Sequence, residues 1–134
     1  MVENVISVVA ALIRDDAGRV LLVRKRGTVA FMQPGGKRDA GESDVAALSR
    51  AVVEELGCHV VAGSAQALGV FDCLAANEPG FTVRAAVYAV AVDGAIEPRA
   101  EIDRMVWVDP GALPDLHFAP LTRDHVLPLA RRMQ

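Results

Sequence analysis

Cysteine is scarce in this chain. Its 134 residues hold two, Cys58 and Cys73, in no CxxC pair. Nothing points to a disulfide framework, and two reduced thiols suit the cytoplasm. A cationic excess is also missing: 14 Lys and Arg stand against 17 Asp and Glu, for a net charge of −3. That argues against a broad nucleic-acid footprint. An acidic chain that binds polyphosphate needs metal ions or a local Lys/Arg group to do so. Long hydrophobic runs are absent too. The longest is roughly nine residues, too short to span a bilayer. The opening Met1-Val2-Glu3-Asn4 lacks the basic stretch of a signal peptide. There is no internal repeat and no low-complexity linker, so residues 1–134 read as one domain that buries roughly two-thirds of its unfolded surface. His59, His117 and His125 show no metal-ligand spacing and read as structural or surface residues.

What the chain does have is concentrated in residues 34–58. Pro34-Gly35-Gly36 makes a sharp bend with exposed backbone groups, and Gly41 makes a second. Ser43 is a good N-cap, Asp44 suits the first helical turn, and Gly57 suits the position after a helix end. A helix is therefore expected over 44–56. On a helical wheel Val45, Leu48, Val52 and Leu56 share one face, which should be core. Ala47, Ala51, Glu54 and Glu55 fall on a neighbouring flank. Two adjacent acids in a last turn repel each other and the helix dipole, which makes them a poor choice for stability alone. They are either a solvated helix end or oxygen ligands for a hard divalent cation, with the alanines leaving room for waters and a phosphate. Gly36-x4-Gly41 resembles the start of a P-loop, but Glu42-Ser43 follows where Lys-Ser/Thr is required.

The same stretch resembles the Nudix box, G-x5-E-x7-R-E-U-x-E-E-x-G-U, where U is a bulky aliphatic residue. Gly36, Glu42, Arg50, Val52, Glu54, Glu55 and Gly57 match at the right spacing, and a Pro-Gly before the box is usual for the family. There are two departures. Cys58 stands at the final aliphatic position, where a buried thiol behaves as a small hydrophobe. Ala51 stands where the family commonly has a Glu that ligates metal or activates water. General bases supply roughly 10²–10⁴-fold, so this change leaves a slow enzyme, moves the base elsewhere, or marks a protein that binds without cutting.

In chain order, residues 5–14 are apolar and β-branched and predict a buried strand. Asp15-Asp16-Ala17-Gly18 predicts a turn, with residues 19–26 as the partner strand of a hairpin. That strand ends in Arg24-Lys25-Arg26, either a solvated end or a phosphate contact; the resemblance favours Arg24 or Lys25 for substrate. Phe31 either stacks on a base or packs in the core. Strands are expected from His59, over 67–75, over 81–92 and over 105–108. The acidic loop Ala95 to Asp103 lies between the last two. Relatives often carry an acid in that loop, which makes Glu101 the first candidate for what Ala51 lacks, ahead of Glu97 and Asp103; the alternative is a solvated loop acid. From Pro120 a packing helix is expected, with a stripe of Val126, Leu129, Ala130 and Met133 that Pro128 should kink or delay. By resemblance Thr122 is a further substrate contact.

This element order is an α+β chain, and the resemblance implies the Nudix α/β/α sandwich with a mixed sheet between helices. It also implies a Mg²⁺-dependent hydrolase, with Mn²⁺ as the other ion, acting on a nucleoside diphosphate linked to another group. Glu54, Glu55, Glu101 and the carbonyl of Gly35 would hold metal, and Gly36, Glu42 and Arg50 would support the site. Leu74-Ala75-Ala76 lacks the Pro or Tyr common in relatives acting on ADP-ribose or dinucleoside polyphosphates, which favours a nucleoside triphosphate, oxidised purines included. The partner is a small nucleotide, with neither a nucleic-acid polymer nor a membrane expected. A homodimer is common among relatives, but no residue pattern here establishes one. The rival reading, resting on Ala51, is a weak or inactive Nudix domain used as a nucleotide-binding or regulatory module.

Overall fold

The computed structural model describes residues 4–134; Met1-Val2-Glu3, read above for lacking a basic leader, lie outside them. The elements run β1 (Val5–Ile13), β2 (Val20–Lys25), β3 (Gly35–Lys37), α1 (Asp44–Leu56), β4 (His59–Val60), β5 (Gln66–Leu74), β6 (Thr82–Val90), β7 (Val92–Asp93), β8 (Ile102–Val108), a π-helical turn (Thr122–Val126) and α2 (Leu127–Arg132). No described helix is long and apolar enough to cross a membrane.

β1 is the inner strand of a mixed sheet of order β3-β1-β6-β5. It runs parallel to β6, from Val5↔Thr82 to Ile13↔Val90, and antiparallel to β3. Side chains alternate across a strand, so β1 feeds two cores. Val9, Ala11 and Ile13 meet Leu48, Val52 and Leu56 of α1. Ala10 and Leu12 meet Val126, Leu127 and Ala130 at the other helix. This is the expected α/β/α sandwich.

The α1 bounds match the expectation. Ser43 Oγ accepts from the Ala46 N–H at 3.1 Å, and Gly57 closes the helix in the left-handed region at φ 73°. The buried face is displaced from the predicted one. Ala47 and Ala51 are buried with Leu48, Val52 and Leu56, whereas Val45 is exposed. The sheet covers the alanine flank more closely than the first turn.

Three expectations are corrected. The turn at Asp15–Gly18 forms, with Asp15 Oδ1 accepting from Ala17 N and Arg19 N, but β1 and β2 share only the Arg14↔Val20 bridge. β2 pairs instead with β8 in a second sheet, Val20↔Val108 to Lys25↔Ile102. Both edges of β1 are already taken by β3 and β6, and Val20 to Val23 are buried on both faces between the two cores. β8 begins at Ile102, earlier than expected, because Ile102 packs into the α1 core. The predicted strand 81–92 breaks at Ala91, whose N–H is taken by Ser64 Oγ at 3.1 Å; Val92–Asp93 then pairs with β4.

Pro128 acts through the turn before it. Proline offers no N–H and crowds the preceding turn. The chain widens there into the π-helical turn, with the Leu127 N–H reaching the Thr122 carbonyl. Val126, Leu127 and Ala130 are consequently the buried residues, with Leu129 and Met133 only partly so.

Candidate active site

The glycine loop is fixed by close approach. A Cβ on Gly35 would run into the Val9 carbonyl, so only glycine lets β3 lie this tightly on β1. Pro34 offers its carbonyl to the Ala11 N–H at 2.8 Å. From there the loop is tied to α1 through Arg50. Arg50 Nε and Nη2 donate to Glu42 at 2.9 and 2.8 Å, and Nη2 also reaches the Lys37 carbonyl at 3.0 Å. Glu42 in turn accepts from the Asp39 N–H at 2.6 Å. The two-pronged Arg50 hydrogen bond holds the Glu42 carboxyl down at about 2. Glu42 and Arg50 thus hold the loop against the helix.

A cleft of about 450 Å³ opens beside this junction. One part is polar and includes Lys25, Gly35, Glu54, Glu55 and Glu101; another is apolar and includes Val8, Cys73, Val83 and Leu121. Ala51 also contributes to its wall and is 4% exposed. Glu55 is strongly perturbed, in the direction opposite to Glu42. Burial pushes its carboxyl up to about 7, Lys25 and the Gly35 N–H pull it down, and Glu101 and Glu54 raise it further. Glu54 leans on Arg50 and Glu101 on Lys25, each at 3.6 Å. Among the described residues no three His, Cys, Asp or Glu side chains already form a ligating group.

The donor chemistry nevertheless fits a hard divalent cation. Three carboxylates and backbone carbonyls are the oxygen ligands that Mg²⁺ or Mn²⁺ takes, and the negative charge gathered about Glu55 exceeds what Lys25 offsets. Ligation by all three acids requires Glu54 and Glu101 to swing off their cationic partners.

The cleft brings together Lys25, Gly35, Gly36, Arg50, Glu54, Glu55 and Glu101. It does not bring Arg24, Phe31 or Thr122 to its wall. Arg24 donates to Asp103 at 3.2 and 3.3 Å and lies 5.4 Å over the Phe31 ring. Phe31 is buried in the core under the C-terminal helix. Thr122 is fully buried and donates to Gln33 Oε1 at 2.7 Å. Glu97 pairs with Arg99 at 3.6 Å, outside the cleft lining. His59 and His117 are exposed, and His125 stacks on Phe71 with ring centroids 4.7 Å apart. Sequence reasoning missed Gln33. Its one signal is a polar residue directly before Pro34, in a stretch otherwise led by Phe31 and Met32.

A second hollow, of about 620 Å³, lies between the β1–β2 turn and Met133–Gln134. It contains none of the box residues.

The sequence profile described as NUDIX domain matches residues 4–130. A putative 8-oxo-dGTP diphosphatase 2 of Mycobacterium tuberculosis is 42% identical over 101 residues, 75% of this chain and 68% of that protein. An 8-oxo-dGTP diphosphatase of Haemophilus influenzae is 39% identical over 61 residues, 42% of this chain and 45% of that one. Among solved structures, the MutT NUDIX hydrolase from Burkholderia pseudomallei superimposes with a TM-score of 0.76 at 26% identity, covering 97% of this chain and 98% of its own.

Proposed function

This chain belongs to the Nudix family, and from that membership we propose that it is a Mg²⁺-dependent pyrophosphohydrolase of nucleoside triphosphates, oxidised purine nucleotides among them. One observation carries the reading: Glu54, Glu55, Glu101, Lys25 and the Gly35 backbone line one cleft together with apolar residues that include Val8, Cys73, Val83 and Leu121. A nucleotide needs both parts, oxygen ligands and a cation for its phosphates and an apolar wall for its base.

In this reading the carboxylates of Glu54, Glu55 and Glu101 and the Gly35 carbonyl hold the cation. When bound, it offsets charge on the attacking and leaving oxygens of the phosphoryl transfer. Lys25, paired with Glu101 at 3.6 Å, turns to a phosphate oxygen once Glu101 is engaged elsewhere. Arg50 and Glu42 hold the middle of α1 against the loop that follows Gly35–Gly36, which sets where the helix presents its glutamates. Before a cation binds, Glu55 holds a proton at neutral pH for part of the time. The similarity to 8-oxo-dGTP diphosphatases supports a triphosphate, as does Leu74-Ala75-Ala76 at the cleft rim. The reading treats the chain as one cytoplasmic domain acting on a small molecule.

Ala51 favours a second reading. A methyl group occupies the cleft wall between the loop and the glutamates, where a carboxylate would meet the same cation. A protein that binds nucleotide with little turnover follows from that.

The test is phosphate and pyrophosphate release from ordinary and 8-oxo-purine triphosphates, ADP-ribose and a dinucleoside polyphosphate. Each is assayed with and without Mg²⁺, beside Glu55→Gln. Metal-dependent release that Glu55→Gln removes is the expected result. Nucleotide binding without release from any substrate would replace the hydrolase by the binding module.

A further inference from the structure

Gln33 and Thr122 are the two buried polar side chains among the described residues, and they bond to each other. The bond uses one end of the amide only. Thr122 Oγ1 donates to Gln33 Oε1 at 2.7 Å, and Gln33 Nε2 meets no acceptor among the described residues. Yet no sealed side-chain nitrogen or oxygen there lacks a partner, so Nε2 is open to solvent although Gln33 is 9% exposed. Gln33 lines the cleft, so that is the opening we assign to Nε2.

Alternation along the chain says which part of the cleft. Phe31 packs under the C-terminal helix and Met32 against the α1 core, so Gln33 returns to the Phe31 side. Val8, Cys73, Val83 and Leu121 form the apolar wall on that side.

We propose that Gln33 reads the nucleobase: its Nε2 donates to a ring carbonyl oxygen of a base in the apolar part of the cleft, favouring 6-oxo purines over adenine. This rests on the reading of the cleft as a nucleotide site. A 6-oxo group accepts a hydrogen bond, whereas the 6-amino group of adenine is a donor and would face the amide donor to donor. A site built to hydrogen-bond a substrate group rejects the analogue lacking it, because its own buried group is then left unpaired. Thr122 is a positioning residue. In the observed arrangement its hydroxyl donates to Oε1, which leaves Nε2 as the free end of the amide.

dIMP and dAMP differ at purine position 6 and need no turnover to be compared. Their affinities are measured in EDTA for the wild type, Gln33→Met, Gln33→Glu, Thr122→Val and Thr122→Ser, with kcat/KM for dITP and dATP in Mg²⁺ alongside. The wild type should prefer dIMP by about tenfold or more. Gln33→Met and Thr122→Val should lose that preference through weaker dIMP binding, and Thr122→Ser should keep it. Gln33→Glu, which turns an acceptor to the base, should reverse it. Equal affinity of the wild type for the two, or binding of neither, overturns the proposal. So does a preference that survives Gln33→Met in a protein with wild-type thermal unfolding. If Gln33→Met fails to fold, the isosteric Gln33→Glu decides, and an unchanged preference there overturns it. A wild type that discriminates in binding but hydrolyses no triphosphate would sink the hydrolase reading and leave the base contact standing.

Discussion

Arg50 grips Glu42 with two nitrogens, Nε at 2.9 Å and Nη2 at 2.8 Å, and with the second it also reaches the Lys37 carbonyl. Helix, loop and strand β3 are joined at this one guanidinium. Lysine cannot reproduce a planar two-pronged contact. Arg50→Lys and Glu42→Gln should each lower kcat/KM about 10- to 100-fold, the range for losing a partner that orients metal ligands, with helix content by circular dichroism preserved.

The pair also predicts an acid limb. The folded state holds the Glu42 carboxyl at about 2, down from 4.5. A depressed carboxyl stabilises the fold fully above its unfolded value and loses that contribution as pH falls through the folded one. Thermal unfolding followed from pH 6 to pH 2.5 should therefore be shallower for Glu42→Gln than for wild type through the lower part of that window.

Tyr88 and Asp44 give the complementary alkaline limb. Tyr88 Oη donates to Asp44 Oδ2 at 2.6 Å, which raises the tyrosine above 10.0 and, with the Arg38 ion pair as a smaller contribution, lowers Asp44 below 3.8. A raised tyrosine stabilises the fold below its unfolded value and loses that as pH climbs through the folded one. Tyr88→Phe should cost about 1 kcal/mol at pH 7, discounted for partial exposure, and should flatten the stability decline above pH 10. Urea titrations at pH 7 and pH 11 measure both.

Ala51→Glu places a carboxylate on the cleft wall beside Glu54 and Glu55. Mg²⁺ affinity should rise, and turnover should increase about tenfold or more if a general base is what the wild type lacks. Isothermal titration with Mg²⁺ and a pyrophosphate-release assay give the two numbers. Tighter metal binding with unchanged turnover would send the search for the base to Glu101.

Two substitutions separate packing from chemistry. Gly57→Ala forces a side chain into the left-handed region and drives its Cβ into the Arg99 guanidinium, for about 1–2 kcal/mol of backbone strain alone. Leu48→Ala empties a site that is 1% exposed and should cost about 2–5 kcal/mol. Both are read from urea midpoints at constant m-value.

Local signals in the sequence were the dependable ones. Ser43, Gly57 and the apolar spacing between them gave α1 its observed bounds, because capping and amphipathicity are decided within a few residues. Of the seven box positions only Glu54 acts on the Glu55 carboxyl; Lys25, Gly35 and Glu101, which also do, lie outside the seven. Pairing was less legible. A turn at Asp15–Gly18 suggests a hairpin, but whether β2 stays beside β1 depends on β3 and β6 competing for the same edges. Val45 fits the helical stripe yet is exposed, since a wheel does not reveal how far a sheet extends under the first turn. Gln33 carried no family signal, and its meaning depends on Thr122, which is remote in sequence and reaches it only in the folded chain.

The parallel ladder between β1 and β6 has a consequence for how the molecule is made. Val5 finds its partner in Thr82 and Ile13 in Val90. During synthesis the first strand therefore leaves the ribosome long before the strand that seals one of its edges. Closing so large a loop is slow compared with forming local structure. Until β6 arrives, β1 is an apolar strand with an open edge, which is the condition that invites misassociation between nascent chains. Helix α1 and strand β3, both made in the interval, are the elements able to shelter it.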